Sequence, residues 1–119
     1  IQGKETASLK EFISPIYESE GNESKLADGL ALKKSPRVDD ALQAIKESNG
    51  GLLVFDDNEI KIGVKKLWQM GYLVEPTSAV SYLGLIKLKE LGYDISNYVI
   101  MLTGNGLKFY DLIEKLIYK

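Results

Sequence analysis

The chain has 119 residues, 45% of them hydrophobic, with 15 basic against 17 acidic side chains and a net charge of −2. That is enough to bury the core of one α/β unit spanning residues 1–119 and too little for a two-domain enzyme, and lysines scattered among glutamates offer no basic face to nucleic acid or an anionic membrane. Cysteine and histidine are both absent, which excludes disulfides, thiolate metal sites, a cysteine nucleophile, the Ser-His-Asp triad and the usual zinc ligands.

The first residues, Ile1-Gln2-Gly3, read as the middle of a longer polypeptide, with no basic segment followed by an apolar core. No apolar run approaches the ~20 residues that span a bilayer. From Leu9, apolar residues recur at Phe12, Ile13, Ile16 and Tyr17, the stripe of an amphipathic helix that Pro15 should kink. Glu18 to Lys25 is polar and aperiodic, a surface loop. Leu26-Ala27-Asp28-Gly29-Leu30 follows as an irregular strand or pocket wall. Ser35-Pro36 opens a helix with Val38, Ala41, Leu42 and Ile45 inward, stopped at Asn49-Gly50-Gly51.

Leu52 to Phe55 reads as a short buried strand. Asp56 and Glu59 have capping-box spacing before a helix whose stripe is Ile60, Val64, Leu67 and Trp68, ended by Gly71. Tyr72 to Val74 is again strand-like, and Glu75-Pro76 leads into a helix to Leu91 that is apolar around most of its circumference. Tyr98 to Leu102 reads as a strand buried on both faces, ending in Thr103-Gly104-Asn105-Gly106. A last amphipathic helix carries Phe109, Leu112, Ile113, Leu116 and Ile117. Alternating strands and helices predict an α/β fold, a three-layer sandwich with a mainly parallel sheet, whose ligand lies outside the carboxyl ends of the strands.

Two such ends deliver Glu75 and Thr103 to one cleft rim. Each has a plainer reading: Thr103 as a turn residue, Glu75 as a charge favoured at a helix N-terminus. Gly104-Asn105-Gly106 reads as an anion-binding nest or an ordinary turn, Asp28 as a pocket residue or a turn, and Trp68 as core. The paired lysines are solvated faces.

Taken together, Leu26-Ala27-Asp28-Gly29-Leu30, Ser35-Pro36-Arg37, Glu47-Ser48-Asn49-Gly50-Gly51, Val74-Glu75-Pro76-Thr77-Ser78-Ala79 and Val99 to Lys108 resemble the carboxyl-terminal part of the threonine synthase family. These are pyridoxal-phosphate enzymes of fold type II, related to the tryptophan synthase β chain. The serine/threonine dehydratases share the Ala-Asp-Gly and Glu-Pro motifs but are expected to end the strand in a Ser-Gly-Gly-Asn type of sequence, where this chain has Thr103 to Gly106. A free-standing binding module built on half of the fold is the alternative from another class.

The resemblance implies a portion of a larger cofactor domain, with pyridoxal phosphate as cofactor, Thr103 at its pyridine nitrogen, and Glu75, Gly104 and Asn105 around it. The family reaction converts O-phosphohomoserine and water to threonine and phosphate. The Schiff-base lysine and the phosphate cradle are expected upstream, so no catalytic residue is assigned to this chain and it is expected to be inactive alone. Its expected partners are the amino-terminal part of the same enzyme, an amino-acid substrate and, through uncovered strand edges, a second copy in a homodimer. The expected location is the cytoplasm, in keeping with the absence of cysteine.

Overall fold

The computed structural model describes residues 2–3, 8–21, 26–27 and 36–117. The chain divides into two compact units, Ile1–Asp57 and Asn58–Lys119. The expected α/β class is what the structure contains, with a parallel sheet and several helices.

In the first unit, strands β1 (Gln2–Gly3), β2 (Tyr17–Glu18) and β3 (Leu53–Phe55) form a parallel sheet in the order β1-β3-β2. Gln2 is in register with Val54 on one side of β3, and Tyr17 with Leu53 on the other. A central parallel strand is covered on both faces, which is why Leu52 to Phe55 can be apolar without alternation; all four are buried. Leu9 and Ile13 pack against Leu52 and Val54, and the Tyr17 and Phe55 rings lie 5.5 Å apart.

The expected helix from Leu9 to Tyr17 is instead a single 3₁₀ turn, Ser8–Glu11, followed by β2. Pro15 lacks the N–H that a further helical turn needs, so the chain leaves and Ile16 N–H donates to Leu52 O at 2.8 Å, joining the sheet. Helix α1 (Val38–Glu47) has its expected stripe half-buried, with Asp39 and Asp40 in the first turn where the helix dipole favours them. Ser35 and Asp28 lie outside the described residues.

The second unit carries most of α2 (Asp57–Gln69), then α3 (Pro76–Glu90) and α4 (Tyr110–Ile117), the last preceded by a 3₁₀ turn at Gly106–Phe109. Helices α1, α2 and α3 stop in the same way. The residue two beyond each helix sits in the left-handed region, Asn49 (φ 52°), Gly71 (φ 94°) and Gly92 (φ 91°). The following N–H then reaches back to Ile45 O, Leu67 O and Leu88 O at 2.8–3.0 Å, the Schellman arrangement. The Asp94 carboxylate accepts the Ser96 N–H, and that bond holds its pKa below the ordinary aspartate value.

The buried stripe of α2 is Ile60, Gly63, Val64, Leu67 and Trp68. Gly63 faces α3, and a Cβ there would stand 2.8 Å from Leu83 Cγ. Gly63→Ala should therefore destabilise the protein by about 1–2 kcal/mol. Overpacking of ~1–3 kcal/mol outweighs a helix-propensity gain of at most ~1 kcal/mol. The midpoint of urea unfolding checks it, and an unchanged midpoint would mean Leu83 moves aside freely.

Tyr72 to Val74 and Tyr98 to Leu102 are not strands, which corrects the expectation for both. Tyr98, Val99 and Met101 are 50%, 87% and 71% exposed, the reverse of a buried run. Apolar side chains select a strand only where neighbouring strands take up its N–H and C=O groups, and no strand occurs among the described residues of this unit. No described helix is long and apolar enough to cross a membrane.

Candidate functional site

The two segments that fail to form strands still meet at their carboxyl ends. Val74 is held from below: the Trp68 indole N–H donates to its carbonyl at 2.8 Å, so a side chain expected as core also braces this edge. Glu75 follows in extended conformation (φ −69°, ψ 155°) as the N-cap of α3, with Pro76 in the first turn where its missing N–H is no loss. The Glu75 side chain makes no capping bond to its own helix. It pairs with Lys108 at 3.1 Å, with side chains 18% and 61% exposed respectively, and the Lys108 ammonium also lies 5.1 Å from the centre of the Phe109 ring.

Gly104 has φ 66°, and its α-carbon lies directly under the Glu75 carboxyl group; a Cβ there would overlap Glu75 Cδ and Oε1. The position thus requires glycine twice over, for its backbone angle and for the close approach. Immediately before it, the Thr103 N–H donates to Ser78 Oγ at 2.7 Å. Thr103 itself is exposed, so its backbone is tethered while its side chain faces outward. Asn105 Oδ1 accepts the Leu107 N–H at 2.8 Å and so caps the 3₁₀ turn before α4. Buried Gly106 donates its N–H to Leu73 O at 3.0 Å.

These bonds bear on the two readings of Gly104-Asn105-Gly106. The N–H groups of Thr103, Gly106 and Leu107 are already committed to Ser78, Leu73 and Asn105, and a carboxylate covers Gly104. With these donors engaged inside the protein and a carboxylate beside Gly104, the bonds favour the turn over the nest.

The structure brings together Glu75 and Gly104 in direct contact, with Thr103 and Asn105 on either side of Gly104. Asp28 lies outside the described residues. Sequence reasoning missed Ser78, whose signal is a hydroxyl at a buried position (3% exposed) of an otherwise apolar helix, where it needs a partner. It also missed Lys108 as the partner of Glu75. No group of metal-ligating side chains occurs among the described residues.

The profile of the family described as pyridoxal-phosphate dependent enzyme matches residues 1–104. Threonine synthase of Synechocystis sp. is 37% identical to the chain over 114 residues, covering 93% of this chain and 29% of the relative. The chain thus spans about three tenths of that relative's length. No solved structure matches it. With the profile covering the whole stretch from the sheet to the Glu75–Gly104 contact, the chain belongs to the pyridoxal-phosphate-dependent enzyme family.

Proposed function

We propose that this chain is the carboxyl-terminal part of a threonine synthase and forms one wall of a pyridoxal-phosphate pocket, in an enzyme that converts O-phosphohomoserine and water to threonine and phosphate in the cytoplasm. The observation that carries the reading is the joined edge Val74-Glu75-Pro76 and Thr103-Gly104-Asn105, in a chain 37% identical to a threonine synthase. Bound pyridoxal phosphate supplies an electron sink for carbanion chemistry at the substrate.

The residues fit that cofactor in part. Thr103 presents a hydroxyl on a backbone fixed by Ser78, suited to a ring nitrogen. Being neutral, this hydroxyl does not compel the nitrogen to stay protonated, whereas a carboxylate there would. Glu75, spread across Gly104 and paired with Lys108, makes a floor and no free charge toward the ring. Asn105 shapes the turn through its bond to Leu107. The Schiff-base lysine and the phosphate cradle belong, on this reading, to upstream polypeptide. Exposed Tyr98, Val99 and Met101 support that, as apolar surface of the kind further chain would cover.

In the complete enzyme, Thr103→Val should lower phosphate release from O-phosphohomoserine about 3- to 10-fold, the worth of one hydrogen bond between neutral groups, with the melting temperature unchanged. An unchanged rate would remove Thr103 from the cofactor. Keto-acid formation from serine or threonine, without phosphate release, would identify a dehydratase instead. The chain alone, mixed with pyridoxal phosphate and borohydride, should yield no adduct fixed at one lysine; such an adduct would overturn the assignment of that lysine to upstream chain.

A further inference from the structure

We propose that Ser78 is a positioning residue for Thr103: by accepting the Thr103 N–H, its buried hydroxyl fixes the direction in which the Thr103 side chain meets the cofactor. The inference rests on the reading of Thr103 given above.

A serine in the first turn of a helix ordinarily serves that helix's own N–H groups. In α3 the Ser78 N–H goes to Glu75 O at 3.0 Å, and the Ser78 oxygen turns away to residue 103, 25 positions along the chain. Ser78 is 3% exposed, so water does not compete for that bond and its loss leaves a donor without its partner. The next residue, Gly104, holds φ 66° beneath Glu75. One helical turn therefore grips two consecutive residues, Thr103 through Ser78 and Gly104 through Glu75. Among the described residues, no regular strand holds Tyr98 to Leu102, so this grip sets where Thr103 stands. A hydroxyl that must meet a ring nitrogen at ~2.8 Å tolerates little displacement.

The test uses the complete enzyme, with Ser78→Ala, Thr103→Val and the double variant compared by pyridoxal-phosphate affinity, the absorbance band of the bound cofactor, and amide exchange at Thr103. Ser78→Ala should weaken cofactor binding about tenfold, shift the band as Thr103→Val does, and speed exchange at the Thr103 amide. The double variant should be no worse than Thr103→Val alone, because Ser78 acts only through that hydroxyl. The KM for the amino-acid substrate should stay at its wild-type value while kcat falls.

Wild-type affinity and band in Ser78→Ala, or losses that multiply in the double variant, would overturn the inference and leave the Thr103 reading standing. If Thr103→Val itself changes neither affinity nor band, the reading of Thr103 fails and this inference fails with it. Should Ser78→Ala not fold, Ser78→Cys keeps the shape, substitutes a weak acceptor, and is held to the same outcomes.

Discussion

Gly104→Ala should destabilise the protein by about 1–3 kcal/mol and open the edge that carries Thr103. Two independent terms add. A Cβ in the left-handed region costs ~1–2 kcal/mol, and at φ 66° the residue is well inside it. The same Cβ would overlap the Glu75 carboxyl group, the far end of a flexible side chain that has to move aside. Moving it aside breaks its pair with Lys108, whose side chain is 61% exposed, at a cost of at most ~1 kcal/mol. The terms separate by experiment: Glu75→Ala in the Gly104→Ala background should recover the overlap and leave the backbone term. Urea unfolding of the two variants decides it, and a double variant no more stable than Gly104→Ala would place the whole cost in the backbone.

Trp68→Ala should be the most damaging single change in the second unit, at about 3–5 kcal/mol for truncating a buried tryptophan. Trp68 is 7% exposed on the apolar stripe of α2, and its indole N–H also satisfies the Val74 carbonyl. Trp68→Phe isolates the second contribution: most of the ring volume stays, and the loss should be ~1–3 kcal/mol for an acceptor left without its donor. Because Val74 directly precedes Glu75, both changes should also loosen the Glu75–Gly104 contact. Trp68 is the one tryptophan of the chain, so its fluorescence in the unaltered protein reports on this brace alone. A red-shifted emission from the folded protein would contradict its burial.

The elements that sequence made legible are those whose stabilising contacts are near in sequence or uniform in pattern. The β3 run needs only apolar residues throughout, α2 repeats its stripe at helical spacing, and α3 follows a Pro at its first turn. The stripe from Leu9 to Tyr17 misled because Leu9 and Ile13 do pack inward, but from a 3₁₀ turn, with Tyr17 already in β2. Tyr98 to Leu102 has a strand's composition, yet pairing is a property of the neighbour and not of the segment. In the site, Glu75, Thr103, Gly104 and Asn105 were legible as chemistry-bearing types at segment ends. Ser78 was not, since its partner lies 25 positions away and a first-turn serine reads locally as a cap. The G-N-G segment was ambiguous because a nest and a turn share composition; they differ only in whether the N–H groups already have acceptors.

The commitment of backbone N–H groups next to asparagine bears on how the molecule ages. An Asn-Gly pair deamidates when the glycine nitrogen attacks the asparagine side-chain carbon, and the chain has two such pairs in its described residues, Asn49-Gly50 and Asn105-Gly106. In both, the attacking nitrogen is held elsewhere: Gly50 N–H by Ile45 O at 2.8 Å and Gly106 N–H by Leu73 O at 3.0 Å. At Asn105 the side-chain oxygen is itself engaged by the Leu107 N–H. The folded protein thus shields its two most labile amides with the bonds that end α1 and shape the site. Isoaspartate at either pair becomes a chemical record of time spent locally unfolded.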